Sequence, residues 1–158
     1  MPAATERPPY QTRQFVWCQF PYMEAPLRPG PKEHIGYIAD VRRLGANAHL
    51  TVMSLYTTTR PWQPGIPLPA GIIPVETEMA RRMRQKGFVL DARRVAFLPI
   101  DLSFFPRLAQ PDKGVVFTAS LRFHRLVEDT LKQVARRPEI IVKLGPDTPG
   151  GSSGPRQR

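Results

Sequence analysis

Proline decides how this chain can be laid out. Nineteen of the 158 residues are proline, clustered at Pro21 to Pro31, Pro61 to Pro74 and in both tails. Proline fixes φ and lacks the N–H that a helix or a sheet ladder uses, so the clusters mark loops and caps. Regular structure must lie between them. The length suits one domain with a real core. Residues 1–12, "MPAATERPPYQT", have no periodicity and read as a flexible lead, residues 13–145 as a single domain, and residues 146–158, "PDTPGGSSGPRQR", as a disordered tail.

Between the proline clusters the pattern is mostly that of short strands. "RQFVWCQF" sets Phe15 and Trp17 against Val16, Cys18 and Phe20, with both faces apolar, as in a strand near a sheet centre. "HIGYIADV" and "HLTVMSLY" alternate on either side of the polar turn "RRLGANA" and read as an antiparallel hairpin. "YMEAPLRPGPKE" is a long loop turning at Pro29-Gly30-Pro31. "RPWQPGIPLPAGIIP" has too many prolines for regular structure. "FVLDARRVAFLPID" reads as two short strands around a polar step at Asp91 to Arg94, "GVVFTASL" as a further strand or a strand leading into a cap, and "EIIVKLG" as a final edge strand.

Two segments carry helical spacing. "VETEMARRMRQKG" has acidic residues at its start, basic ones at its end, the stripe Val75, Met79, Ala80, Met83, and Gly87 as the residue beyond its C-terminus. "SLRFHRLVEDTLKQVARRP" has the stripe Phe123, Val127, Thr130, Leu131, Val134, a Glu128–Lys132 pair at i, i+4, and Pro138 to close it. The composite is a small, strongly bent antiparallel sheet with two helices, a mainly β (α+β) domain.

The formal net charge is +10. Glu6 and Arg7 cancel in the lead, and Asp147, Arg156 and Arg158 leave one positive charge in the tail, so the folded part itself is basic. A basic domain favours a polyanion, nucleic acid or acidic protein. Arg42–Arg43, Arg93–Arg94 and Arg136–Arg137 read as surface charge, and Arg81, Arg82, Arg84 and Lys86 as a solvated helix face. The one cysteine, Cys18, allows no intrachain disulfide and reads as a packed thiol in a reducing compartment. No segment has the length of a membrane span, and no signal peptide opens the chain, so the cytoplasm is expected. There is no internal repeat, no Gly-rich phosphate loop and no zinc-type Cys/His spacing, and no cofactor is expected.

"VWCQFP", then "PGPKEHIGYIADV", a strand ending in "YTTT", and "LDARRVAFLPID" followed by "FF" stand in an order that resembles the PemK/MazF-like toxins of type II toxin–antitoxin systems, over roughly residues 14–105. The resemblance implies an SH3-like small β-barrel of the MazF/CcdB type with two or three short helices, usually a homodimer. It implies an mRNA interferase: a metal-independent endoribonuclease acting on single-stranded RNA and inhibited by an acidic antitoxin. After "PGPK" the family has an arginine that stabilises the transition state, followed by proline; here His34 and Ile35 take those places. The family's Thr-Ser pair that binds the scissile phosphate is matched by Thr58 and Thr59, with Thr57 in place of a glycine.

Metal-free cleavage of RNA needs a base for the 2′-hydroxyl, an acid for the leaving oxygen and donors for the phosphate. His34 suits base or acid, since imidazole titrates near neutrality. Lys32, Arg60 and the hydroxyls of Thr58 and Thr59 suit the phosphate, Trp62 suits stacking on a base, and Tyr56 adjoins them as an RNA-binding candidate. The plainer readings are a solvent-facing or capped His34, threonines chosen as strand formers, and Trp62 as a loop anchor. His49 and His124 have no convergent neighbours in sequence and receive no role. The alternative function is a catalytically silent member of the same fold that binds nucleic acid or protein; a plain SH3-like interaction domain is the third. The phosphate site requires "PGPKEH" and "YTTTRP" to lie side by side on neighbouring strands.

Overall fold

The structure is a computed structural model that describes residues 7–45, 48–57, 65 and 67–146, with the backbone alone for residues 52–57, 111 and 113. In chain order the elements are β1 (Gln14–Cys18), β2 (His34–Arg43), β3 (His49–Thr57), β4 (Ile72–Val75), α1 (Thr77–Arg82), β5 (Phe88–Asp91), β6 (Arg94–Pro99), α2 (Pro111–Gly114), β7 (Val115–Thr118), α3 (Leu121–Ala135) and β8 (Val142–Leu144). The protein is mainly β, as its short alternating windows predict.

One sheet takes in all eight strands, in the order β4-β5-β3-β2-β1-β7, with β6 paired to β3 and β8 paired to β6. β2 and β3 form the expected antiparallel hairpin, from Arg43 opposite His49 to Gly36 opposite Tyr56. β1 has neighbours on both edges, β2 and β7, and each of its two apolar faces is covered by a core layer. Phe15 joins a core layer with Tyr37, Phe88, Leu90, Phe123 and Val127. Val16 and Cys18 join a second layer with Phe20, Ile38, Leu98, Phe104, Phe105 and Tyr10. The alternation of one five-residue strand thus feeds two cores.

β5 and β6 behave as one strand broken at the expected polar step. Three steps along β3 from Met53 to Tyr56 are matched by five from Asp91 to Ala96. The surplus bends the chain, so that β6 follows the start of β3 while β5 takes its end and carries β4 on its far edge. Asp91 holds the bend: it is buried, and it accepts from the Arg93 N–H at 3.0 Å and from Arg93 Nε at 2.8 Å.

α3 packs on the first layer through Phe123, Val127 and Val134. Ser120 caps it, its Oγ accepting from the Phe123 N–H at 3.1 Å. Phe15, Tyr37 and Phe123 meet as rings, with centroids 4.9 to 5.8 Å apart.

Four expectations change. The segment assigned to loop by its prolines contains β4, and Pro74 is tolerated there because, among the described residues, β4 ends the sheet order and pairs with β5 alone. α1 does not run to Gly87. It stops after Arg82, and Arg84 is the residue at positive φ (58°), with the Gln85 N–H donating back to the Ala80 carbonyl at 2.9 Å. Glu128 faces His124, 3.6 Å away. β8 is the expected final strand, but it runs parallel to β6 in an otherwise antiparallel sheet. The two ends of the strand order, β4 and β7, are not paired with each other, so the sheet is open among the described residues.

Candidate active site

The loop between β1 and β2 returns to its own starting point. The Gly30 N–H donates to the Gln19 carbonyl at 3.1 Å, and the Gln19 N–H donates to the Phe104 carbonyl at 2.8 Å. Gly30 is required by contact. A Cβ there would run into the Phe20 carbonyl oxygen and sit 3.0 Å from two ring carbons of Tyr22. The "PGPK" turn is therefore seated on the end of β1, and it delivers Lys32, Glu33 and His34 to the head of β2.

His34 is half-buried, opposite Cys18 on β1. Its Nε2 lies 3.2 Å from the Tyr22 hydroxyl. Burial, and then the ammonium of exposed Lys32, push its pKa below the ordinary histidine value. Both causes favour the neutral imidazole over the charged form.

Beside it, Glu33 accepts two hydrogen bonds from one guanidinium: Arg107 Nε to Oε2 at 3.1 Å and a terminal Arg107 nitrogen to Oε1 at 3.2 Å. The same guanidinium carbon sits 4.8 Å from the centroid of the Trp17 ring. Arg107 belongs to the turn-rich segment after β6, which is fastened by buried Phe104 and Phe105. In the same corner the buried Tyr10 hydroxyl has no hydrogen-bond partner among the described residues. Its pKa is raised first by burial, then by the neighbouring Cys18. A Cβ on Gly114 would lie 2.6 Å from that hydroxyl and 3.4 Å from Arg107 Cβ, so glycine lets the segments close here.

Of the sequence candidates, the structure brings together His34, Lys32 and the backbone of Tyr56. Gly36 pairs with Tyr56, and Tyr56 pairs on its other side with Asp91, so the last described residues of β3 run beside the first residues of β2. Thr58, Thr59, Arg60 and Trp62 lie outside the described residues. Several surface arginines have acidic neighbours: Arg42 with Asp40, Arg93 with Asp91, and Arg137 with Glu139.

Sequence reasoning did not find Tyr22, Glu33, Arg107 or Trp17 as members of a site. Tyr22 sits in a loop without periodicity, and Glu33 and Arg107 are 74 residues apart. His124, which has no convergent neighbours in sequence, is buried, with Nδ1 2.7 Å from the Tyr37 hydroxyl and Nε2 3.6 Å from Glu128. This chain of polar groups lies between β2 and α3 and is structural. Among the described residues no group of three or more His, Cys, Asp or Glu is arranged to hold a metal ion, and no helix is long and apolar enough to cross a membrane. No family model matches this chain, and no curated protein and no solved structure matches it.

Proposed function

We propose that this protein is a metal-independent endoribonuclease that cleaves single-stranded RNA, on a sheet that belongs to the SH3-like barrels of the MazF/CcdB type. The supporting observation is His34, a neutral imidazole at the head of β2, hydrogen-bonded to Tyr22 and flanked by exposed Lys32. In the reaction Tyr22 donates to Nε2 and accepts from the ribose 2′-hydroxyl, whose proton passes to His34 through the phenol oxygen. The freed 2′-oxygen attacks the adjacent phosphorus. The P–O5′ bond breaks, and the 5′-oxygen takes a proton from solvent. The products are a 2′,3′-cyclic phosphate and a 5′-hydroxyl end. Lys32, with Thr58, Thr59 and Arg60, holds the phosphate charge, and Tyr56 and Trp62 hold the strand.

On this reading the protein works as a homodimeric toxin in the cytoplasm and is held in check by an acidic antitoxin, which its net charge of +10 would attract. The test is incubation of end-labelled single-stranded RNA with wild type and His34→Ala in excess EDTA. Discrete fragments with cyclic-phosphate ends from the wild type, and a loss of roughly 10²–10⁴-fold in rate for the variant, are the expected result. Intact RNA with both proteins would end the enzyme reading. The second reading, a binding module without turnover, is favoured by one observation: a histidine stands where the resemblance places an arginine. Its signature is salt-dependent binding of an RNA that is never cut.

A further inference from the structure

The geometry points to Arg107 as an anion-binding residue for a backbone phosphate of single-stranded nucleic acid, with Glu33 occupying the phosphate's place until the strand arrives. This rests on the RNA reading above and adds to it a subsite, together with the residue that gates it.

The argument begins with the fork. A guanidinium that gives two parallel N–H bonds to a carboxylate presents the same pair of donors that it would give to two phosphate oxygens. Glu33 takes both, at 3.1 and 3.2 Å. The Arg107 and Glu33 side chains are 39% and 29% exposed, so the pair sits at a rim that a ligand can reach. Such a pair is held weakly, because water screens it and two long side chains must stay ordered. A phosphodiester can therefore exchange with the carboxylate at little cost.

Two features keep Arg107 in place when its partner leaves. Its guanidinium lies over Trp17, 4.8 Å from the ring centroid, and that contact does not depend on Glu33. Its backbone is fastened as well. The Phe105 N–H donates to the Asp101 carbonyl and the Leu108 N–H to the Phe105 carbonyl, while Phe104 and Phe105 are buried. The site is thus a preformed donor fork on an aromatic base, one residue along the chain from His34 through Glu33. Exposed Lys32 stands on the other side of Glu33 and adds positive charge for the same strand.

This arrangement gives the two members of one ion pair opposite effects on binding. The experiment uses a fluorescein-labelled oligouridylate with 2′-O-methyl sugars, which cannot be cleaved, and reads anisotropy for the full chain at fixed salt. Glu33→Gln is expected to bind about 3- to 10-fold more tightly than wild type, and Arg107→Gln about 10-fold more weakly. The double variant is expected to match Arg107→Gln, because freeing a fork that is gone changes nothing. Arg107→Lys, which keeps the charge but loses the fork, should fall between wild type and Arg107→Gln. Thermal melts of each variant establish that it is folded.

A Glu33→Gln gain that persists in the Arg107→Gln background would overturn the subsite, since it would then reflect overall charge. Unchanged or weaker binding by Glu33→Gln alone would also overturn it, as would preference for an oligoglutamate of the same length. If neither wild type nor Glu33→Gln binds the strand, the RNA reading itself falls. Binding with the wrong order of variants removes the subsite and leaves that reading standing.

Discussion

The Tyr37 hydroxyl lies 2.7 Å from Nδ1 of His124, tying the middle of β2 to the first turns of α3 inside the core. Tyr37 is fully buried and His124 nearly so. Removing the hydroxyl leaves an imidazole nitrogen without its partner in a dry place. Tyr37→Phe should therefore lower the unfolding free energy by about 1–3 kcal/mol, as read by urea denaturation. A Tyr37→Phe, His124→Phe double variant should lose less than the sum of the two single losses. Additive losses would show that the two groups act separately.

The same phenol sets an alkaline limit. Burial is the main cause that holds the Tyr37 pKa well above the usual tyrosine value. A group whose folded pKa is raised contributes stability that is complete below the unfolded value of about 10 and is lost as pH rises through the folded value. Thermal midpoints of the wild type should fall steeply above about pH 10. A flat midpoint from pH 9 to 12 would contradict the buried phenol.

His34 gives the opposite sign at the acid end. Its folded pKa is depressed by burial and by Lys32, so its contribution is present above the unfolded value of about 6.5 and is lost as pH falls through the folded value. Any cleavage that uses His34 as base should keep its rate down to below about pH 6.5 before the acid limb begins. Substituting Lys32→Gln removes one cause of the depression and should move that limb upward. A limb unaffected by Lys32→Gln and His34→Gln would exclude His34 as the titrating group.

Gly30 should tolerate no side chain. A methyl group there meets the Phe20 carbonyl and the Tyr22 ring together. Gly30→Ala is expected to cost about 1–3 kcal/mol and to displace Tyr22 from His34. Urea midpoints read the first effect. The His34 ring resonances, followed by NMR through a pH titration, read the second, because loss of the Tyr22 contact changes their titration.

Cys18 should be chemically silent in the folded protein. It is fully buried, and burial pushes the thiol pKa up to about 12. Reaction with a thiol-specific disulfide reagent should proceed only at the rate of global unfolding and should become fast in denaturant. Rapid labelling of the native chain would show that the second core layer opens locally.

The elements that can be read from the sequence are those whose partners are near in the chain. The β2–β3 hairpin is visible because two alternating runs flank one polar turn. The break between β5 and β6 is visible because Asp91 to Arg94 interrupts an apolar run. α3 is visible through its stripe and through Pro138. β4 is hidden because its prolines argue for loop, whereas its place at the end of the sheet among the described residues lets Pro74 do without an N–H partner. The end of α1 is misplaced because Arg84 takes a positive φ of 58° that composition would give to Gly87.

The candidate site is half legible. His34 and Lys32 stand in a recognisable stretch of sequence, but the groups that tune or accompany them come from elsewhere. Tyr22 sits in a loop without periodicity, Arg107 lies 74 residues from Glu33, and the buried Tyr37–His124 pair spans 87 residues. No local pattern encodes such pairs. They exist because the segment carrying Phe104 and Phe105 docks on the end of β1 and α3 packs on β2.

The parallel pairing of β6 and β8 joins segments far apart in the chain. Arg94 meets Val142 only after α2, β7 and α3 have been threaded between them. Parallel neighbours need such a long crossover, and closing it is rewarded only when the intervening segments are in place. The edge of β6 on that side is covered by β8, a strand far from it in sequence. An uncovered strand edge of this kind is the surface through which chains associate with one another. Weakening β8 would therefore bare a hydrogen-bonding edge of β6 as well as cost packing, because the Val142–Leu144 strand is what covers that edge.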